Sequence, residues 1–308
     1  MSKLSKLLQV TEEEKKKILQ HYDLSEEDFD ERVNMLKEWT NKCEHLPKED
    51  VDNKFRIALL NCKMSLEKAK KSLEGYYRIR SRYSNEIFDK MTPKTKEYLE
   101  SKKLVKTVVM PNLTPDLHRI TIFKVSDPNG EACDAFLYEL PVLMMAEIRL
   151  ITDLFISNII IIDFDGYSWK NVLKYTPTVQ QKLVDILMSV NLRIHSIHFI
   201  NQTNFMDYVM RLLKSLLPSK LVNKIHNHQS YDELKEHLSA ENLPSNYGGK
   251  QKSIEVLHEE WCEQIEESDD LFQKLLSVKS TEKIELDQTQ QDLFGCGAEG
   301  SFRKLTLD

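Results

Sequence analysis

The stretch "NIIIIDFDG", Asn158–Gly166, places four consecutive isoleucines before two aspartates and a glycine. A run without polar alternation is what a strand covered on both faces requires. Downstream, Thr178–Val190 has helical periodicity and "IHSIHFIN" (Ile194–Asn201) is a second buried strand. That β-α-β unit implies a parallel sheet. Upstream, "HRITIFKV" (His118–Val125) alternates strictly and runs into the turn signal "SDPNGE". "LPVLMMAEIRLITDLFI" (Leu140–Ile156) is apolar around most of its circumference and predicts a helix buried on nearly every side.

The two prolines of "VVMPNLTP" (Val108–Pro115) end the helical text that fills the chain before them. Thr11 with Glu14 makes a capping box, and Ser25 with Asp28 a weaker one. Val33, Leu36 and Trp39 recur at helical spacing, as do Phe55, Leu59 and Leu66, then Ala69, Leu73, Tyr76 and Tyr77. The basic run Lys68, Lys70 and Lys71 reads as a solvated helix face. The expected organisation is a helical N-terminal domain (1–105), an α/β domain (106–255), and a C-terminal helix and tail (256–308).

Composition narrows the function. With 308 residues, 41% hydrophobic and 30% charged, the chain reads as soluble and globular. A net charge of −6 argues against a general nucleic-acid binder. Cys43, Cys62, Cys133, Cys262 and Cys296 are scattered without a CxxC pair, which fits a reducing compartment and suggests neither zinc nor a disulfide framework. "MSKLSKLLQV" has no apolar run of signal-peptide length, and no segment reaches the roughly 18 apolar residues of a membrane span. A cytoplasmic protein is expected.

Three chemistries compete. Asp163 and Asp165, at the end of a buried strand, resemble the nucleophile and general acid of aspartate-based phosphatases. The rest of that motif is missing: Tyr167 stands where a small hydroxyl residue belongs, and the later pair Asp269/Asp270 sits in a charged helix. His226 and His228 share one strand face, whereas His195 and His198 fall on opposite faces; without Cys or carboxylate partners at ligand spacing, structural histidines are the expected reading and no metal is assigned. Third, "NFMDYVMRLLKSLLPSKLVNKIHNH" (Asn204–His228) puts Phe205, Val209, Leu212, Leu213 and Leu216 on one helix face, opposite Asp207, Arg211, Lys214 and Ser215. Pro218 stops that helix, and Lys220 and Lys224 follow. It reads either as a surface helix packed on the sheet or as a lid over an apolar cavity with a basic rim facing an anionic membrane.

Several blocks resemble one family, the CRAL-TRIO lipid-transfer proteins. "CKMSLEKAKKSLEGYYRIR" (Cys62–Arg80) is similar to its N-terminal three-helix signature. "IIDFDGYSW", "YTPTVQQK", "IHFINQTNF", "SKLVNKIHNH" and "LPSNYGGK" follow in the family's order, and "LFGCGAEGSFRKL" (Leu293–Leu305) resembles the tail of one branch. The resemblance implies a largely parallel mixed sheet with helices forming an apolar pocket, behind a small all-helical domain, and a non-enzymatic carrier without cofactor.

By that resemblance the lid spans about Asn201 to Lys224, and the cavity is lined by Val142, Ala146, Ile162, Trp169, Leu183, Ile186, Leu187, Val190 and Ile197, with Val209, Leu212 and Leu213 from the lid. The implied ligand is a small hydrophobic molecule (tocopherol, retinoid, carotenoid or another isoprenoid), released when the lid opens at a membrane. Family members couple release to phosphoinositides through a basic cluster, which Arg193, Lys220 and Lys224 match; Leu60 stands where that cluster has an arginine. The rival is a phosphoinositide-sensing adaptor that carries no lipid. In "LPSNYGG", Gly248 and Gly249 imply a turn needing positive φ or close backbone approach, with Pro244 fixing its entry.

Overall fold

The computed structural model describes residues 7–281 except Asp50, Asn191 and Thr203. The block Leu293–Leu305, with Cys296, and the side chain of Leu216 lie outside the described residues. Two capping boxes start the chain. Thr11 Oγ1 accepts the amide of Glu14 while Glu14 takes the Thr11 amide at 2.7 Å. Ser25 and Asp28 repeat the exchange in full. These caps head α1 (Glu12–Gln20) and α2 (Glu26–Lys42), followed by α3 (Asp52–Asn61), α4 (Leu66–Arg82) and α5 (Lys96–Leu104). The expected stripes converge: Val33, Leu36, Phe55, Leu59, Ala69, Leu73, Tyr76 and Tyr77 form one core, with Trp39 and Leu66 half-buried at its margin.

The sheet runs β1 (Val105–Val109), β2 (His118–Val125), β3 (Ser157–Asp163), β4 (Ile194–Ile200) and β5 (Ile225–Asn227), in that order in space. β1 is antiparallel to β2 and every later pair is parallel. The mixed, mostly parallel sheet behind a helical region is the fold read from the sequence. The crossovers carry α6 (Phe136–Thr152), α7 (Trp169–Val172), α8 (Pro177–Ser189), α9 (Met206–Leu216) and α10 (Ser219–Val222). After the sheet come α11 (Tyr231–His237), α12 (Ile254–Glu267) and α13 (Asp269–Leu275).

One boundary differs from expectation. α6 begins at Phe136, because Asp134 Oδ1 accepts its amide at 2.9 Å, and ends at Thr152, not Ile156. Asp153 leaves the helix in extended backbone and takes Arg119 and Arg149 in a fully buried ion cluster. Glu139 therefore belongs to the helix.

Buried polar contacts dock the helical region on the sheet region. Arg80 of α4 pairs with Glu147 of α6 at 2.6 Å, and Tyr76 donates to the same carboxylate. Tyr83 donates to Asp185 of α8 at 2.6 Å.

The glycine pair closes the sheet. Gly248 has φ +71°, and a Cβ on Gly249 would stand 2.0 Å from the Leu243 carbonyl oxygen. The turn delivers the buried Tyr247, whose hydroxyl donates to Asp163 Oδ2 at 2.9 Å. Asn201 and the Asp165 amide donate to Oδ1, and Lys124 pairs with Oδ2 at 3.2 Å. Asp163 is thus a saturated acceptor that ties the ends of β3 and β4 to the turn, and its oxygens are committed to structure.

Candidate lipid cavity and basic groove

Strand alternation sends β2–β3 side chains to two faces. On one face Ile120, Ile122, Ile159 and Ile161 are 0–4% exposed and pack into the main core with Tyr247, Leu257 and Trp261. On the other, Thr121, Ile160 and Ile162 keep accessible surface although β3 is the central strand. Close-packed cover would leave a central strand buried, so this face is less completely covered than the other. Ile160 and Ile162 meet Val209, Met210 and Leu213 of α9, in a cluster with Phe205, Ile197 and Phe199.

α6 supplies a second wall. Over 136–150 every residue is buried except Phe136, Glu139 and Val142, which form one half-buried stripe at three-residue spacing. Phe136 and Val142 pack with Leu183, Ile162, Tyr167, Tyr175 and Val179. Ile162 and Tyr167 belong to both clusters, so the α6 wall and α9 border one continuous region.

Of the expected lining residues, the structure brings together Val142, Ile162, Leu183, Ile197, Val209 and Leu213. Ala146, Ile186 and Val190 pack into the main core. Leu212 is half-buried on α9. Trp169 and Leu187 are exposed, at 49% and 40%. Trp169 contacts the rings of Phe205 and Tyr208, and Leu173 one turn on is 70% exposed. An apolar rim therefore surrounds the outer edge of α9, which α8 also contacts.

A separate open groove of about 720 Å³ lies at the other ends of the strands, lined by Lys17, His21, Asp116, His118, Arg193, His195 and Lys224 among others. Among the described residues its one lining carboxylate is Asp116. His118 and His195 stack at 4.1 Å. Burial, with the neighbouring His195, lowers His118 to about 4; burial, then Lys224, also lowers His195. Burial and the cations Arg193, Lys63 and Lys220 depress Lys224, which marks a concentration of positive charge. Lys220 is exposed on α10. Leu60 is fully buried, and its carbonyl accepts Tyr22 Oη–H; Arg193 Nη1 donates to the same hydroxyl at 2.8 Å. Tyr22, which sequence reasoning passed over, thus positions Arg193 where the implied arginine partner is lacking.

The histidines divide as their alternation requires. His195 faces the groove, while His198 gathers with His226, His228 and His237, its Nδ1 2.8 Å from His228 Nε2. Among the described residues no group of His, Cys, Asp and Glu has the geometry to hold a metal ion, and no helix is long and apolar enough to cross a membrane.

Residues 106–249 match the CRAL/TRIO domain family, and residues 25–98 match the Pinta-like UBA domain. Clavesin-1 of Rattus norvegicus is 31% identical over 93 residues, 30% of this chain and 26% of that protein; Clavesin-1 of Mus musculus matches equally. The matched stretch is thus about a quarter of the length of these relatives. The crystal structure of Sfh5 aligns over 80% of this chain and 99% of its own at TM-score 0.49 and 12% identity.

Proposed function

We propose that this chain, which carries a CRAL/TRIO domain behind a Pinta-like UBA domain, holds one small hydrophobic lipid between β3 and α9 and exchanges it at membranes without catalysing a reaction. The observation that carries this reading is the pair Ile160 and Ile162, half-open on the central strand beneath an amphipathic helix. The division into 1–105, 106–255 and 256–308 is proposed with it. Burying about 500 Å² of an isoprenoid (tocopherol, retinoid or carotenoid) at roughly 25 cal/mol per Å² contributes on the order of 12 kcal/mol before association costs. Tight binding then requires no ion pair.

Release is proposed to start at the apolar rim of Trp169, Leu173 and Tyr208, which suits the boundary of headgroups and acyl chains. Arg193, Lys220 and Lys224 supply cations for an anionic surface, where each contributes about 1 kcal/mol. Transfer of a fluorescent tocopherol analogue to anionic vesicles tests this. Lys220→Ala with Lys224→Ala slows transfer while leaving ligand affinity unchanged; equal rates would remove the basic rim from the account. The groove also favours a second reading, a phosphoinositide-sensing adaptor, which predicts headgroup binding without any extractable lipid.

A further inference from the structure

α6 carries three ionisable side chains besides its tyrosine, and two of them are buried and paired: Glu147 with Arg80, and Arg149 with Asp153 and Asn158. Glu139 has no such partner. Burial, and after it the neighbouring Tyr175 side chain, set its protonation, and no cation among the described residues contributes. Tyr175 in turn packs in one cluster with Tyr167. All three are half-buried, neither sealed in the core nor fully exposed. Their position agrees: Glu139 is the middle residue of the Phe136–Glu139–Val142 stripe, and Tyr167 and Tyr175 cluster with Val142 and Ile162.

We propose that Glu139, Tyr175 and Tyr167 form the polar end of the lipid cavity and select a lipophilic molecule bearing one neutral oxygen, an alcohol, phenol, aldehyde or ketone. A protonated carboxyl offers one O–H donor and a carbonyl acceptor, and each phenol adds a donor or acceptor. A ligand hydroxyl engages both functions and a ligand carbonyl takes a donated proton. Burial pushes Glu139 up to about 7, which keeps the donor available under mildly acidic to neutral conditions. A carboxylate ligand would meet an acid with no cation beside it, and a hydrocarbon would leave Glu139 with Tyr175 alone. The ionisable groups around the carboxyl are Tyr138 of α6, Tyr167 after β3 and Tyr175 before α8; burial raises all three phenols, so they stay neutral through this range.

The inference rests on the carrier reading but fails separately from it. The probes are farnesol, farnesal, farnesoic acid and the hydrocarbon farnesene, with the matching geranylgeranyl set, titrated against the full chain. Because a hydrocarbon partitions from water more strongly than its alcohol, the informative quantity is the ratio of alcohol to hydrocarbon affinity, compared between variants. Glu139→Leu lowers that ratio about tenfold, the worth of one buried hydrogen bond. Glu139→Gln, which keeps shape, donor and acceptor, holds the ratio within about threefold. Wild-type affinity for farnesal, whose carbonyl can only accept, falls as pH rises through about 7, and Glu139→Gln removes that dependence. A ratio unchanged in Glu139→Leu, or farnesoic acid as the tightest ligand at pH 8, would overturn the polar end and leave the carrier reading intact. Binding of none of the probes, nor of tocopherol or retinol, would remove both.

Discussion

The two faces of one strand differ in what covers them. On the face of Ile159 and Ile161 the neighbours are side chains alone, and the carboxylate at its end, Asp163, has every oxygen engaged. On the face of Ile160 and Ile162 the same residue type keeps accessible surface, and the nearby carboxyl, Glu139, has only a phenol. Isoleucine content is equal on both faces, so burial of apolar residues does not distinguish a core from a cavity. The distinction lies in whether polar groups at the margin are satisfied from within.

The comparison can be broken most severely on the closed side. Gly249→Ala drives a methyl into the Leu243 carbonyl and displaces Tyr247 from Asp163, with an expected loss on the order of 4 kcal/mol in urea denaturation. Ile161→Ala opens a cavity in a sealed core and costs about 3 kcal/mol. Ile160→Ala, one residue away, costs less than about 1.5 kcal/mol because its site is only half-covered. Equal costs for the two would mean that both faces are closed.

Two titrations sharpen the contrast with smaller effects. The folded protein holds the proton of Glu139 up to about 7 against the 4.5 usual for a glutamate, so its folded form binds more protons than its unfolded form between those limits. Stability from this group is complete below pH 4.5 and is lost as pH rises through about 7. Glu139→Gln removes that loss and stabilises the protein by about 2 kcal/mol at pH 8, measured by denaturation in the absence of lipid. On the closed face the sign reverses. Burial, with His228, His226 and His237, lowers His198 to about 3 from 6.5, so its contribution holds above 6.5 and falls away as pH drops towards about 3. His198→Gln flattens the acid limb, a gain of about 1 kcal/mol at pH 5.

Much of the fold was legible because it depends on strong local patterns. Four successive isoleucines need cover on two sides, and strict alternation over His118–Val125 allows only a strand. The cavity was less legible because lining residues and core residues are chemically alike. Ala146, Ile186 and Val190 have the same apolar character as Val142 and Ile162 but lie in the main core. Glu139 escaped notice because the helix was expected to begin at Leu140, which left the acid outside the helical stripe. The cap from Asp134 corrects that start, and the spacing 136–139–142 is the signal that would have found it. Tyr22 escaped for a different reason. Its role depends on a contact with Arg193 across 171 residues, which no local pattern encodes.

Native mass spectrometry of the purified chain, followed by solvent extraction, bears most directly on the proposed cavity. The prediction is one lipophilic molecule per chain carrying a neutral oxygen, displaced stoichiometrically by farnesol or a related alcohol. A chain that is recovered empty, and that takes up no isoprenoid when each is offered in excess, would contradict it.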